Sequence, residues 1–223
     1  MRPDERAARA PGYERARPEI LAHVPASARR VLDLGCATCT TGAALKARQP
    51  AHVTGIELEP AYASEAKTRL DDVITGDVET AQPSGTFDAL IAADVLEHLK
   101  DPWSALRRYA GALEPHGTAV VSLPNVGHWS TYATLARGTW PRKAEGIFDA
   151  THLRWFTLRD ARELLLQAGL RPTAVVRRGW ILHRGSRLDA LVPPLLRIPG
   201  LRTLFTFQYV IAARPMLPGD ADD

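Results

Sequence analysis

Read from its amino end, the chain alternates short apolar runs with stretches that place apolar residues on one helical face. Runs at 30–34, 52–57, 72–75, 87–92, 117–123, 172–177 and 205–212 predict seven strands. Between them, 42–48, 61–70, 103–112 and 158–168 predict helices. The last starts after Thr157, a residue type that caps helix amino ends, and stops at Gly169, a type that closes carboxyl ends. A further short helix within 13–24, with Ile20 and Leu21 as its apolar contacts, leads into the first strand. Strands alternating with amphipathic helices imply parallel crossovers covered on both faces. The final two strands lack such a crossover between them.

Composition narrows the picture without changing it. With 223 residues, 45% hydrophobic and 24% charged, the chain suits a single domain over 1–223 with its own core. Within it, 1–12 is Arg/Ala/Pro-rich and expected to fray, 124–157 to cover an acceptor, 180–204 to form a helical insertion, and 214–223 to be a flexible tail. The net charge of +3 comes from arginines scattered along the chain, which gives no nucleic-acid footprint. The first residues have no apolar core of a secretory signal, and no apolar run approaches the ~18 residues of a membrane span. Two cysteines within one turn make no disulfide framework, and a cytoplasmic protein is the expectation.

Those cysteines lie in Val31-Leu-Asp-Leu-Gly-Cys-Ala-Thr-Cys-Thr-Thr-Gly42, which runs from the first strand into the first helix. In open α/β sheets this turn lies on the ligand-binding edge. Gly35 allows a tight turn, and Ala37 is the smallest side chain that still permits close approach. A dinucleotide fingerprint would need G-x-G-x-x-G, whereas here Gly35 is followed by Ala37 and Thr40. Asp33 would repel a pyrophosphate but suits a ligand carrying an amino or sulfonium cation. The second strand ends at Glu57, where an acid can take both ribose hydroxyls. Asp77, after the third strand, could accept from an adenine amino group or simply cap a turn. Asp94 closes the fourth strand on the same edge.

In order and spacing, the segments D-L-G-C, G-I-E-L, G-D-V-E and F-D-A-L-I-A-A-D-V-L-E-H-L resemble the class I S-adenosylmethionine-dependent methyltransferases. The later segments L-E-P-H-G-T-A-V-V-S-L-P-N-V-G-H-W and G-I-F-D-A-T-H-L-R-W-F-T resemble a bacterial subgroup associated with polysaccharide, O-antigen and secondary-metabolite pathways. The resemblance implies a Rossmann-like, mostly parallel seven-stranded α/β sheet with helices on both faces. Its last strand would be antiparallel and inserted between the fifth and sixth. It implies S-adenosyl-L-methionine as cofactor, with Asp33, Gly35 and Ala37 on the methionine part and Glu57 on the ribose. Leu58 would pack on the adenine, Asp77 and Val78 would read its edge, and Asp94 would lie near the sulfonium. Cys39 stands where the family has a glycine. A left-handed backbone there costs of order 1 kcal/mol for a cysteine, whose side chain is expected to crowd the methionine end.

The implied activity is methyl transfer to a small hydroxylated acceptor, sugar-type or secondary metabolite, with a histidine as base. His128, His152 and His98 fall near the ligand edge, with the base expected at His128 or His152, whose segments flank that edge, while His23, His52, His116 and His183 fit solvated positions. Asp94, Glu97 and His98, placed on one helix face, could hold a divalent cation. The preferred reading is that Asp94 caps the helix while the other two pair locally, with no metal. Trp129, Tyr132, Trp140, Phe148, Trp155 and Phe156 suit a lid over a ring-shaped acceptor or a small satellite core. A stripe of Leu188, Leu191, Val192, Leu195 and Leu196, broken by Pro193 and Pro194, fits packing on the sheet or a homodimer contact. Two competing functions share this fold: a non-catalytic binding partner, and a cofactor-dependent cyclase-type reaction.

Overall fold

The computed structural model describes residues 15–180 and 192–217. Strands β1 (Arg30–Leu34), β2 (His52–Glu57), β3 (Asp72–Thr75), β4 (Phe87–Ala93), β5 (Leu113–Pro124), β6 (Leu170–Arg178) and β7 (Gln208–Pro215) form one sheet in the order β3-β2-β1-β4-β5-β7-β6. β1 to β5 pair in parallel, and β7 runs antiparallel to both β5 and β6. The inserted antiparallel strand is the arrangement expected from the resemblance.

The apolar runs read as continuous because both faces of the sheet are covered. On β1, Val31 enters one core cluster while Leu32 and Leu34 enter the other. On β4, Ala89 and Ile91 oppose Leu90 and Ala92 in the same way. This is the two-residue alternation of a pleated strand with no solvent-facing side. One face is packed by α1 (Pro18–Leu21), α2 (Thr40–Arg48) and α3 (Pro60–Ala66) through Ile20, Leu45 and Ala66. The other is packed by α4 (Pro102–Ala110) and α6 (Leu158–Gln167) through Leu106, Tyr109, Leu164 and Leu165. α5 (Trp129–Leu135) lies between β5 and α6 in sequence, and α7 (Val192–Arg197) and α8 (Arg202–Phe205) precede β7.

Several boundaries differ from the sequence-based ones. β5 starts at Leu113, because Phe87 pairs with Leu113 before a register shift carries the ladder on to Ala89 and Thr118. The intervening Glu114, Pro115 and His116 are exposed, which hides the strand from a hydrophobic pattern. β6 begins at Leu170 and tolerates Pro172 at its own register shift on the sheet's edge. Phe205 closes α8 rather than opening β7, since a short apolar run does not distinguish a helical turn from a strand. α3 stops at Ala66 instead of Leu70. Among the described residues of 13–24, the helix covers Pro18–Leu21. α6 carries the expected Thr157 cap, strengthened by a reciprocal bond from Asp160, and Gly169 follows it with φ +79°.

The expected tail begins late, because Arg214 and Pro215 belong to β7. The arm at 1–12, the segment around Leu188 and Leu191, His183 and residues 218–223 lie outside the described residues. No described helix is long and apolar enough to cross a membrane.

Candidate cofactor and acceptor site

The strand order reverses between β1 and β4, so their carboxyl ends open the crevice where doubly wound sheets bind ligands. Gly35 turns the chain there with φ +60°, and a Cβ on it would stand 2.6 Å from Val95 Cγ2. Glycine is therefore required both by backbone conformation and by close approach to the β4 end. Ala37 and Cys39 also take left-handed conformations, at φ 50° and 58°. The strain foreseen at Cys39 is present, and Ala37 shares it.

The direction of Cys39 differs from the expectation. Its side chain is fully buried in the cluster with Val31, Leu45, Val53 and Leu70, away from a methionine end. Both sulfurs lie over Gly55 of β2, where a Cβ would come within 2.6 Å of Cys36 Sγ and 3.2 Å of Cys39 Sγ. The two cysteines are joined as a disulfide with a Cα–Cα separation of 4.9 Å. The two cysteines, read from the sequence as making no disulfide framework, are thus bonded to each other. The left-handed turn curls the chain enough to bring the pair together, a geometry that spacing alone does not give.

Asp33 is 3% exposed and Glu57 8% exposed on adjacent strand ends. Burial and the neighbouring Glu57 charge push the Asp33 carboxyl up to about 7. Burial also raises Glu57, against the backbone donors that hold it. Its Oε2 accepts from Ala37 N at 2.8 Å and its Oε1 from Glu59 N at 2.8 Å. No basic side chain of the described residues bonds to either acid. A buried acid pair without an internal cation fits a cationic ligand with hydroxyls, which is what an aminoacyl sulfonium nucleoside presents. Leu58, 64% exposed, offers an open apolar face beside it.

Asp77 Oδ1 accepts from Glu79 N at 2.8 Å, so this carboxylate closes its own turn. Val78 is buried, and its carbonyl accepts the Tyr109 hydroxyl at 2.7 Å. Asp94 does not cap a helix. It sits at φ 55°, and the 3-10 turn Leu96–His98 that follows has no side-chain cap. Its Oδ2 accepts from Arg17 Nη1 at 2.6 Å, and its Oδ1 from Ser122 Oγ at 2.7 Å and Gln208 Nε2 at 2.6 Å. Burial alone would raise Asp94; the Arg17 charge and these donors hold it below the usual carboxylate range. Arg17 was not legible in the sequence as a site residue. Its only signal is a charged side chain just before a short apolar helix, and 77 residues separate it from Asp94.

The histidines divide in two. His128 caps α5: its Nδ1 accepts from Ser130 N at 3.3 Å, and its Nε2 lies 3.3 Å from the Trp180 carbonyl. Burial among Trp129 and Phe207 lowers its pKa to about 4. His152 instead meets His98, ring centroids 4.7 Å apart, and Glu97, whose Oε1 is 3.9 Å from His152 Nε2. Asp94, Glu97 and His98 thus do not form one helical face; His152 joins Glu97 and His98 in place of Asp94. Of the lid aromatics, Phe148 and Phe156 are buried, while Tyr132, Trp140 and Trp155 are exposed. Trp140 packs edge-on against both Phe148 and Trp155.

Comparison with known proteins adds to this geometry. The methyltransferase domain family matches residues 5–175. Trans-aconitate 2-methyltransferase of Escherichia coli is 32% identical over 133 residues, covering 57% of this chain and 53% of that protein. The chain thus spans about half the length of the curated relatives it matches. An S-adenosylmethionine-dependent methyltransferase from Mesorhizobium loti superposes with TM-score 0.65 at 17% identity, covering 88% of this chain and 96% of that one. Magnesium protoporphyrin IX methyltransferase from Synechocystis, with S-adenosylhomocysteine bound, gives 0.62 at 16%, covering 95% and 85%. The [4+2]-cyclase SpnF gives 0.62 at 18%, covering 90% and 80%, so the fold alone does not fix the reaction. The family match over most of the chain leads to one conclusion: this chain belongs to the methyltransferase domain family, and it has the fold of S-adenosylmethionine-dependent methyltransferases.

Proposed function

We propose that the chain transfers a methyl group from S-adenosylmethionine to a small hydroxylated acceptor, a sugar-type or secondary-metabolite hydroxyl. The observation that carries the cofactor half is the buried Asp33–Glu57 pair at the sheet's switch point, which no described basic side chain neutralises. When bound, the cofactor supplies an electrophilic methyl group. Asp33 and the Gly35–Ala37 backbone would hold its amino acid part, Glu57 its ribose, and Leu58 and Val78 its base.

On the acceptor side, a histidine would take the hydroxyl proton as the oxygen–carbon bond forms and the sulfur–carbon bond breaks, its electron pair returning to sulfur. His152 and His98 suit this role better than His128, whose Nδ1 is engaged in capping α5 and whose Nε2 meets the Trp180 carbonyl. Burial, followed by the neighbouring His98, lowers the His152 pKa and favours the neutral ring that a base requires. Acceptor hydroxyl and His152 would sit under the aromatic segment at 124–157.

The test is incubation with methyl-labelled cofactor and a panel of nucleotide-sugars and small hydroxylated metabolites. Label on a hydroxyl supports the reading. Intact S-adenosylhomocysteine binding with no transfer to any member overturns the acceptor half, and absence of binding overturns both halves.

A second reading, a non-catalytic partner, is favoured by one observation: Arg17 already pairs with Asp94, the acid that would face the sulfonium. A melting temperature unmoved by S-adenosylmethionine and by S-adenosylhomocysteine would favour it.

A further inference from the structure

We propose that Glu97, His98 and His152 form a binding site for one first-row divalent cation of the Zn2+ type, on the acceptor side of the crevice. The site rests on the acceptor reading above only for the use to which the ion is put. With the ion bound, His98 and His152 act as its ligands and not as the free base, and the ion lowers the proton affinity of the acceptor oxygen, whose proton passes to solvent.

The three residues come from two segments held together by backbone. Leu153 N and Arg154 N both donate to the Glu97 carbonyl, at 2.9 and 3.0 Å, which clamps the His152 strand of chain against the turn after β4. One ligating atom from each side chain then lies within 4.8 Å of the others. Donors around a zinc-sized ion stand about 3 to 4 Å apart, so a contraction within side-chain reach would close the shell. Two imidazoles and a carboxylate form a donor set that suits Zn2+ and its neighbours rather than Mg2+ or Ca2+.

Glu97 supplies the independent observation. It is 1% exposed, and its Oε2 has no hydrogen-bond partner among the described residues. Its Oε1 is 3.9 Å from His152 Nε2, beyond hydrogen-bond range. A buried carboxylate oxygen without a partner is costly, and a cation in the cluster would satisfy it. Asp94 cannot do the same work, because Arg17, Ser122 and Gln208 occupy its oxygens.

The histidines are oriented as ligands. His152 Nδ1 lies 3.3 Å from the Ile147 carbonyl, which can only accept, so the proton belongs on Nδ1 and the lone pair on Nε2. The Thr151 hydroxyl donates to Asp149 Oδ1 at 2.7 Å, leaving its oxygen to accept from His98 Nδ1 at 3.0 Å. His98 therefore also carries its lone pair on Nε2. A backbone or hydroxyl acceptor on the distal nitrogen is the usual support for a metal-ligating imidazole. Three protein donors leave a further position for an acceptor oxygen, whose proton an ion there would make easier to remove.

The experiment is calorimetric titration of Zn2+ into the full chain carrying Cys36→Ser and Cys39→Ser, stripped with chelator and free of S-adenosylmethionine. One equivalent is expected, weakened about tenfold or more by Glu97→Gln and by His152→Ala and unchanged by His116→Ala. Absence of saturable binding, or equal affinity in all variants, overturns the site. Should the variants fold poorly, Co2+ added to the parent protein decides: a strong visible band from a low-coordinate N/O site supports the proposal, and the weak spectrum of the aqueous ion overturns it. S-adenosylhomocysteine affinity is titrated separately, so loss of the metal site and loss of the methyltransferase reading give different results.

Discussion

Glu57, at the end of the second strand, accepts a hydrogen bond from the backbone N–H of Ala37 in the loop after the first. The same carboxylate that would grip a ribose therefore also shapes the loop that would hold the methionine part. Glu57→Ala removes both, and S-adenosylhomocysteine affinity should fall by about tenfold to a hundredfold, the range for losing a hydrogen bond to a charged group. Glu57→Gln, which keeps an acceptor for Ala37 N, should retain part of it. Unchanged affinity in the alanine variant by calorimetry would remove Glu57 from the site.

The disulfide predicts an insensitivity. Cys36 and Cys39 turn their sulfurs toward Gly55 and the core rather than toward the crevice. Reduction, or the double change Cys36→Ser and Cys39→Ser, should leave S-adenosylhomocysteine affinity within about threefold while lowering stability. Gly55→Ala should be the more damaging change, about 1–3 kcal/mol, since its Cβ meets both sulfurs. Denaturant unfolding and a binding titration on the same samples check this, and a tenfold redox effect on binding would contradict it.

Asp33 gives a pH dependence of defined sign. Its folded pKa is raised from 3.8 to about 7, so the folded chain holds this proton more tightly than the unfolded one. Stability from this group is complete below about pH 4 and is lost as pH rises toward 7, by at most about 4 kcal/mol. Asp33→Asn should remove that slope. Urea unfolding at about pH 5 and about pH 8 should show the variant gaining on the parent at the higher value; parallel behaviour would refute the assignment.

His128 behaves in the opposite sense. Its pKa falls from 6.5 to about 4, so its contribution is complete above about pH 6.5 and lost as pH falls toward 4. His128→Asn, which keeps a cap for α5, should flatten that decline. His128→Ala should in addition cost about 1 kcal/mol for the cap at neutral pH. Methyl transfer abolished in His128→Asn despite normal stability would move the base to this residue.

Much of the molecule was written in its local pattern. β1, β2 and β3 fall within their sequence-based limits because each is a short apolar run with its turn residues adjacent, and the Thr157 cap and Gly169 stop follow from residue type. The acids at strand ends, Asp33, Glu57 and Asp94, were legible because a parallel sheet puts every strand's carboxyl end on one edge.

What the sequence determined by itself, then, is the alternation that builds a doubly wound sheet and the identity of the acids on its ligand edge. Only tertiary structure decided which partners those and other polar groups meet. Arg17 reaches Asp94 across 77 residues, and His152 reaches Glu97 and His98 across 55 and 54. The left-handed turn at Ala37 and Cys39 aims two sulfurs at Gly55. Each of these depends on chain segments brought together by packing of the sheet faces, and a period of two or of 3.6 residues carries no information about such distances.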